Sequence, residues 1–249
     1  MNYSFIVAYD GSRYEGWQRQ SRTEETVQGK LEKALSVLTG EACRVIGAGR
    51  TDAGVHAKGQ QANVHLSTGI LPEKLEENLN RLLPDDIAVF SMKAADERFH
   101  SRFSAVRKWY RYRIRTGNEK NVFERRYVWQ LGEELDVEAM QKAASLLTGT
   151  HDFTSFCGNK KMKKSAVRTV EEISIKENHG ELVLDFIGDG FLQNMIRIMV
   201  GTMVEVGEGK RKPSDMTTIL QAKERSRAGF TAPPQGLCLM KVEYSASDE

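Results

Sequence analysis

A glycine-rich segment at residues 47–60 carries the residue types most suited to chemistry. It reads GAGRTDAGVHAKGQ and places an arginine, Arg50, two positions before a single carboxylate, Asp52. Four glycines surround this pair, so the backbone can turn sharply and approach a ligand closely. The segment is therefore a candidate site centred on Asp52. The simpler alternative is an aspartate that only stabilises a turn.

Other kinds of site fit this segment less well. The pattern GxGxxD lacks the third glycine of a dinucleotide-binding loop, and no amphipathic helix follows it at once. The sequence does not match a phosphate-binding P-loop. Asp52, His56 and His65 do not have the spacing of a known metal site. We therefore expect no metal here.

A second segment, residues 98–115, combines basic and aromatic side chains. It reads RFHSRFSAVRKWYRYRIR, with seven Lys or Arg residues and no acid. If its second half is a strand, alternation gives one face of Trp109, Arg111, Arg113 and Arg115, and an opposite face of Lys108, Tyr110, Tyr112 and Ile114. Aromatic rings stack on unpaired bases while cations hold phosphates, so the segment suits RNA. A solvated face over two core tyrosines is the alternative.

Further basic clusters lie later in the chain. One cluster comprises Lys160, Lys161, Lys163, Lys164 and Arg168, and another is GKRKP at residues 209–213. The formal net charge is only +2, so a polyanionic partner would have to bind local patches. The clusters favour such a partner, although charge runs are often simply solvated.

Arg197 is an ionised residue within an apolar stretch, residues 191–204, which reads FLQNMIRIMVGTMV. A helix that is apolar on most of its surface would direct this arginine into the interior or a cleft. A long side chain can also extend to solvent from such a position. The more specific hypothesis pairs Arg197 with Asp52 across a cleft, which would keep the carboxylate ionised and oriented.

The first hundred residues must position Asp52, and their pattern predicts strand, helix, strand, strand, helix, strand. The strands are expected at residues 3–9, 43–46, 61–66 and 86–92. The first helix begins with Val27 behind the cap Thr26 and ends at Gly40. The second lies between Pro72 and Pro84.

The second part of the chain repeats this order of elements. Strands are expected at residues 108–114, 167–175, 182–187 and 237–244, and helices at 136–149, 191–206 and 215–223. Two βαββαβ units predict an α+β fold with two ferredoxin-like halves, residues 1–105 and 106–249. We expect mainly antiparallel sheets joined edge to edge, helices on one face, and an active-site cleft between the halves.

Composition excludes several classes of protein. The chain has 249 residues, of which 40% are hydrophobic and 28% charged, so disorder, collagen and coiled coil are excluded. Cys43, Cys157 and Cys238 are odd in number and far apart, which suggests neither a disulfide framework nor a zinc site. We expect neither a cleavable leader nor a membrane-spanning segment. A cytoplasmic protein with no membrane partner is expected.

Six motifs together resemble the tRNA pseudouridine synthase A family, and they span nearly the whole chain in order. The motifs are YDGSRYEGWQRQ at 9–20 with TVQG at 26–29, GRTDAGVHA at 49–57, KWYRY at 108–112, HDFTSF at 151–156, GFLQNMIRIMVG at 190–201 and APPQGLCL at 232–239. The resemblance implies a homodimeric enzyme that isomerises uridine to pseudouridine at nucleotides 38, 39 and 40 of the tRNA anticodon stem-loop. It also implies that no cofactor or metal is needed.

The resemblance further assigns roles to single residues. Asp52 would be the catalytic aspartate, acting either as a nucleophile at ribose C1′ or as a base that removes a ribose proton. Tyr110 would lie against the target base. Arg50 would help to draw the nucleotide out of its stack, and Arg197 would be the partner of the aspartate. Leu237 would pack over the pocket.

The basic clusters would then hold the RNA backbone. The candidates are Arg107, Lys108, Arg111, Lys160, Lys161, Lys163, Lys164 and Arg168. Two other functions remain open from the residues alone. One is a catalytically inactive RNA-binding protein, which would not need the carboxylate of Asp52, and the other is a nucleotide-dependent oxidoreductase.

Overall fold

The computed structural model describes residues 1–159, 161–162 and 164–245, and this part of the chain has an α+β fold with mainly antiparallel strand pairing. The chain divides into two compact units. The first unit comprises Met1–Lys108 and the segment from Cys238 onward, and the second comprises Trp109–Leu237. Each unit has its own buried core of aliphatic and aromatic side chains.

The described residues contain ten strands and five α-helices. The strands are β1 (Asn2–Tyr9), β2 (Ile46–Gly47), β3 (His56–His65), β4 (Ile87–Ala95), β5 (Ala105–Arg115), β6 (Trp129–Gln130), β7 (Gly149–Asp152), β8 (Val167–Asn178), β9 (Glu181–Gly188) and β10 (Leu237–Tyr244). The helices are α1 (Val27–Thr39), α2 (Pro72–Leu82), α3 (Val137–Ser145), α4 (Met195–Gly207) and α5 (Asp215–Ala222).

The sheet of the first unit has β1 at its centre. Strand β1 pairs antiparallel with β4 on one side and with β3 on the other. The far edge of β3 is shared, because β2 pairs antiparallel with its second half and β10 pairs parallel with its first residues. Tyr3, Phe5 and Val7 of β1 are fully buried and fill the core of this unit.

Helices α1 and α2 confirm the predicted helices of the first unit. The Thr26 hydroxyl accepts a hydrogen bond from Gly29 N at the start of α1, and Gly40 ends the helix with a φ of 72°. Helix α2 begins with Pro72 and packs on β4 through the buried residues Leu75 and Leu79. Burial of the apolar stripe holds this helix in place.

Two strands of the first unit differ from the expectation. The strand predicted at residues 43–46 is only Ile46–Gly47, and β3 begins at His56 rather than at residue 61. The first residues of β3 pair on both sides, Ala57 and Gln60 with β1, and His56 and Ala57 with β10. Gly59 allows this approach, since a Cβ there would lie 2.4 Å from the Met240 carbonyl oxygen.

The second unit contains a sheet in the order β5–β9–β8–β7, and β6 pairs parallel with the end of β5. Strands β8 and β9 form an antiparallel hairpin. His179 and Gly180 connect them with φ values of 49° and 70°. Two successive residues with positive φ are typical of the tight turn that matches strand twist. The short strands β6 and β7 were not predicted from the sequence.

The helices of the second unit differ in how they begin, because α3 has a side-chain cap and α4 and α5 do not. The Asp136 carboxylate accepts a hydrogen bond from Ala139 N, and α3 starts where predicted but ends at Ser145 rather than at residue 149. Helix α4 begins at Met195 and not at residue 191, because Asn194 has a φ of 60° and interrupts the helical backbone before it. Helix α3 packs on α4 and β8. Within the described chain, no helix has the length and apolar character needed to cross a bilayer.

Candidate active site

Asp52 lies on a turn that leads directly into β3. Its side chain is half-buried, between the buried residues Thr51 and Val55. The backbone turns back at Gly54, which has a φ of 78°, and Val55 N donates to the Asp52 carbonyl at 3.2 Å. A non-glycine residue at position 54 would be strained. The turn therefore presents one carboxylate at the start of a strand.

The segment at residues 9–17 packs against this turn and is hydrogen-bonded to it. Trp17 N donates to the Thr51 carbonyl at 3.1 Å, and Gly54 N donates to the Tyr14 carbonyl at 3.3 Å. The hydroxyl groups of Tyr9 and Thr51 share a buried hydrogen bond of 2.8 Å. These bonds lie on both sides of Asp52 and fix the backbone that carries it.

Two glycines let the supporting segment approach so closely. Gly16 has a φ of 91°, and a Cβ on it would lie 2.6 Å from the Thr51 carbonyl oxygen. A Cβ on Gly11 would lie 2.0 Å from the Val55 carbonyl oxygen. A side chain at either position would push the Asp52 turn away. The motif at residues 9–20 therefore needs glycine at positions 11 and 16 for close packing.

His56 is buried beside the same turn and has a structural role. Its Nδ1 accepts a hydrogen bond from Gly11 N at 3.0 Å and lies 3.2 Å from Asp10 Oδ1. His65, the other histidine considered with Asp52, lies 3.3 Å from a Glu97 carboxylate oxygen. Among the residues the structure describes, no three His, Cys, Asp or Glu side chains form a group that could hold a metal ion.

Arg50 is exposed, while the backbone before it is tied down. Gln60 Nε2 donates to the Gly49 carbonyl at 2.8 Å, and Lys108 Nζ donates to the Ala48 carbonyl at 2.9 Å. Arg50 is therefore an exposed side chain on a loop whose backbone is held in place. Lys108, a candidate for RNA contact, is half-buried and holds this loop.

In the second unit, Tyr110 and Arg197 are both packed against neighbours. Tyr110 is 7% exposed, and its ring meets Phe191 edge to face at a centroid distance of 5.4 Å. Arg197 is half-buried; its Nε donates to the Ala232 carbonyl at 2.7 Å, and its terminal nitrogen donates to Asn194 Oδ1 at 3.1 Å. These contacts point the arginine toward the segment at residues 232–237.

Leu237 is buried at the end of that segment, after Gly236. A Cβ on Gly236 would lie 2.6 Å from the ring of Tyr112, so the glycine permits close packing. The Tyr112 hydroxyl donates to the Pro233 carbonyl at 2.7 Å. Burial raises the pKa of Tyr112 far above its ordinary value, although the charge of Arg197 acts in the opposite direction. Tyr112 thus anchors this segment, a role that the strand pattern alone did not indicate.

The half-buried face of β5 carries arginines that are paired with acids. The guanidinium of Arg111 binds Asp185 through two hydrogen bonds of 2.9 Å, and Trp109 Nε1 donates to the same carboxylate at 2.7 Å. The other pairs are Arg113 with Glu181 and Glu124, and Arg115 with Glu119. The face expected to be cationic is therefore largely neutralised, and Arg111 holds β5 to β9.

The remaining basic candidates differ in their surroundings. Arg107 lies 3.6 Å from Glu243, and Arg168 donates to the carbonyls of Ser165 and Val167. Lys161 and Lys164 are exposed. Lys160 and Lys163 lie outside the described residues.

Comparison with known proteins gives a consistent result. A family model described as tRNA pseudouridine synthase matches residues 5–104 and 143–245. A protein named tRNA pseudouridine synthase A from Bacillus sp. (strain KSM-64) is 45% identical over 98% of this chain and 99% of its own length. Its namesake from Moorella thermoacetica is 46% identical over 96% of this chain and 97% of its own.

One solved structure, titled "Crystal Structure of a Cbf5-Nop10-Gar1 Complex", covers 96% of this chain and 49% of its own, with a TM-score of 0.40 and 12% identity.

Proposed function

The chain belongs to the tRNA pseudouridine synthase family, and we propose that it converts uridine to pseudouridine in tRNA. We propose nucleotides 38, 39 and 40 of the anticodon stem-loop as the sites, following the sequence resemblance. The observation that carries the proposal is the half-buried carboxylate of Asp52 on a turn whose backbone is hydrogen-bonded on both sides. Such a preorganised acid suits a reaction at a single sugar carbon.

The reaction rearranges bonds within one nucleoside. The bond from ribose C1′ to uracil N1 breaks, the uracil turns within the site, and a bond forms from C1′ to C5. The proton on C5 leaves and N1 gains a proton, so product and substrate are isomers. No group is imported, and we propose that the enzyme needs neither a metal nor a cofactor.

Asp52 can serve this reaction by two routes. As a nucleophile, its carboxylate attacks C1′ and the uracil leaves as an anion, which later displaces the carboxylate through C5. As a base, it removes a ribose proton and the sugar passes through a glycal. Hydrolysis of a glycosidic bond normally uses two carboxylates and an activated water. Isomerisation instead needs the detached base to stay in the site and water to be excluded, so a single carboxylate is sufficient.

We propose that three other side chains prepare the substrate. Arg50, exposed on the fixed loop before Asp52, takes the place of the extruded nucleotide, which offsets part of the cost of unstacking. Tyr110 stacks on the target base, and Leu237 packs over the pocket. The edge contact with Phe191 gives the Tyr110 ring a fixed orientation, which supports this role.

We also propose that Arg197 is the partner of Asp52. A guanidinium beside a carboxylate keeps it ionised and orients it. Two hydrogen bonds to Ala232 and Asn194 hold the Arg197 side chain in a defined position in its own unit. Arg197→Lys tests the pairing, because lysine keeps the charge and loses the bidentate geometry.

The finer architecture is also a proposal. We propose two ferredoxin-like halves, residues 1–105 and 106–249, with a cleft between them, and a homodimer in the cytoplasm. The antiparallel order β4–β1–β3–β2 in the first unit supports the first half, because it is the order of a βαββαβ unit. Light scattering on the purified protein would test the dimer.

Release of tritium tests the enzymatic function. A tRNA transcript labelled at uracil C5 is incubated with the purified protein and no additive, and release of label reports formation of the new carbon–carbon bond. Asp52→Asn should abolish release while tRNA binding is kept. The matched control is Asp85→Asn, since Asp85 is exposed on the loop before β4 and should not affect turnover.

The same assay separates the proposed enzyme from an RNA-binding protein without catalysis. If the unaltered protein binds tRNA but releases no label from any transcript, the enzymatic function is wrong. If Asp52→Asn releases label at the normal rate, the reaction does not depend on this carboxylate and the assignment of Asp52 falls.

A further inference from the structure

A groove of about 310 Å³ lies in the first unit beside the candidate catalytic loop. Residues on its walls include Arg44, Gly47, Arg50, His100, Arg102 and Phe103. Arg50 connects it to the site, because it is two residues before Asp52. The aromatic ring of Trp17 forms part of the wall and packs so closely on Gly47 that a Cβ there would lie 2.6 Å from it.

Phe103 is unusually exposed for a phenylalanine, with 77% of its surface open to solvent. One face of its ring lies against the imidazole of His100, at a centroid distance of 4.2 Å and an angle of 32°. The turn is closed by hydrogen bonds from Phe103 N and Ser104 N to the His100 carbonyl, both 3.0 Å. The ring is thus held by a defined turn while it remains available to a ligand.

This turn is anchored in the core of the first unit. Ser101 is fully buried, and its backbone N and its hydroxyl donate to Asn63 Oδ1 of β3 at 3.0 and 2.8 Å. The Tyr244 hydroxyl of β10 donates to the Ser101 carbonyl at 2.7 Å. An exposed aromatic ring on an anchored turn loses little conformational entropy when a ligand stacks on it. The folded chain therefore presents Phe103 in a binding-ready position.

The charges around the groove have one sign. Arg44, Arg50 and Arg102 are exposed, and none of the described residues lining the groove is acidic. Across the described chain, none of these three guanidinium groups is paired with a carboxylate. The arginines of β5, in contrast, bind acids of their own unit. The groove thus combines a ring to stack on and cations that are available to an anion.

From these observations we propose that the groove binds an unpaired nucleotide of the substrate tRNA, separate from the nucleotide that is isomerised. Its base stacks on Phe103, and its phosphate lies between Arg44 and Arg102. Aromatic rings bind the face of any base, while guanidinium groups bind phosphates, and unpaired RNA offers both at once. The inference rests on the proposed tRNA substrate and adds a second point of attachment beside Arg50.

Removal of the ring tests the stacking interaction. Phe103→Ala should weaken tRNA binding between about 5- and 150-fold, the range expected when one base no longer stacks. The rate of isomerisation at saturating tRNA should be unchanged, and so should the melting temperature, because the side chain is exposed. Phe103→Trp should restore most of the affinity. Phe123→Ala is the matched control, since Phe123 is 93% exposed and lies outside the groove.

Removal of the cations tests the binding of phosphate by a different readout. The double variant Arg44→Gln and Arg102→Gln should reduce the slope of log affinity against log salt by about 0.7 for each phosphate that is no longer neutralised. Phe103→Ala should leave this slope unchanged, because stacking releases no counterions. If the turn had only a structural role, the loss of affinity and the change in salt slope would not separate between the two variants.

The outcomes separate this inference from the proposed function. If Phe103→Ala and the double variant bind tRNA as the unaltered protein does, the groove is not a nucleotide site, even though label release continues. If the unaltered protein releases no label but Phe103→Ala loses affinity and Phe103→Trp regains it, the groove is supported and the enzymatic function is wrong.

Discussion

The hydroxyl groups of Tyr9 and Thr51 share a buried hydrogen bond of 2.8 Å. Thr51 directly precedes Asp52 in the chain. Tyr9 is the last residue of β1, the central strand of its sheet, so the bond ties the candidate catalytic turn to the most buried element of the first unit. The Thr51 carbonyl also accepts a hydrogen bond from Trp17 N. The position of Asp52 thus depends on the Tyr9 hydroxyl and on the backbone of Trp17.

We expect Tyr9→Phe to lower the rate of isomerisation by about 10- to 100-fold, because loss of this bond lets the Asp52 turn shift. The affinity for tRNA should stay the same, since Tyr9 is buried. The free energy of unfolding should fall by about 1–3 kcal/mol, because the Thr51 hydroxyl loses its partner. Single-turnover kinetics and urea unfolding measure both effects.

The double variant Tyr9→Phe and Thr51→Val is the control for this prediction. It leaves no buried hydroxyl without a partner, so stability should recover in part while the rate remains low. Recovery of the rate together with stability would show that positioning by this bond is unimportant.

Gly16→Ala should damage the site far more than Gly40→Ala. Both glycines have positive φ values, but a Cβ at position 16 would meet the Thr51 carbonyl, whereas the surroundings of Gly40 leave space for one. We expect losses in stability of about 2–5 kcal/mol for Gly16→Ala and about 1–2 kcal/mol for Gly40→Ala. Only Gly16→Ala should lower the rate of label release in the folded protein. Equal effects of the two variants on that rate would contradict this account.

Asp185→Asn should weaken the second unit without weakening tRNA binding. The carboxylate is hydrogen-bonded by both Arg111 and Trp109, so its loss should lower the free energy of unfolding by about 1–3 kcal/mol. Arg111→Gln should destabilise to a similar degree and leave the salt dependence of tRNA affinity unchanged. A decrease of about 0.7–0.9 in the salt slope for Arg111→Gln would instead assign Arg111 to a phosphate.

Asp152 should make stability depend on pH in acid. A hydrogen bond from the Thr154 hydroxyl, together with the Lys223 ammonium, holds the pKa of the Asp152 carboxyl below its ordinary value. The unfolded chain therefore binds a proton here at higher pH than the folded chain. The contribution is fully present above the unfolded pKa of about 3.9 and is lost as pH falls through the lower folded value.

Asp152→Asn should consequently lower the free energy of unfolding by about 1 kcal/mol at pH 7, and the deficit should shrink below pH 4. Denaturant unfolding of both proteins from pH 7 to pH 2 checks this. A deficit that stays constant over the whole range would mean that the charge of Asp152 does not stabilise the fold.

The elements predicted best were those with local signals. Helix α1 has a threonine cap and a glycine end, and α3 has an aspartate cap, so short-range bonds mark both limits of α1 and the start of α3. The end of α3 was predicted at residue 149 and lies at Ser145. The beginning of β3 was missed because its partners, β1 and β10, are both distant in sequence. The start of α4 was placed too early, since the left-handed conformation of Asn194 has no signature in an apolar run.

The candidate site was only partly predictable for similar reasons. The glycine-rich segment identified Asp52 and Arg50, because a sharp turn needs glycine at defined positions. The sequence could not show that Arg111 and Arg113 bind acids on β9, because pairing between strands is set by register. Nor could it show that Phe103 is exposed on an anchored turn, since the anchors Asn63 and Tyr244 come from two distant strands.

The parallel pairing of β10 with the first residues of β3 has a consequence for synthesis of the protein. Ribosomes must make the entire second unit before Cys238 and Leu239 emerge to complete the edge beside His56 and Ala57. The strand that follows Asp52 therefore lacks this neighbour throughout most of translation. Asp52 is therefore synthesised early, but the sheet beside it is complete only after β10 has paired with β3.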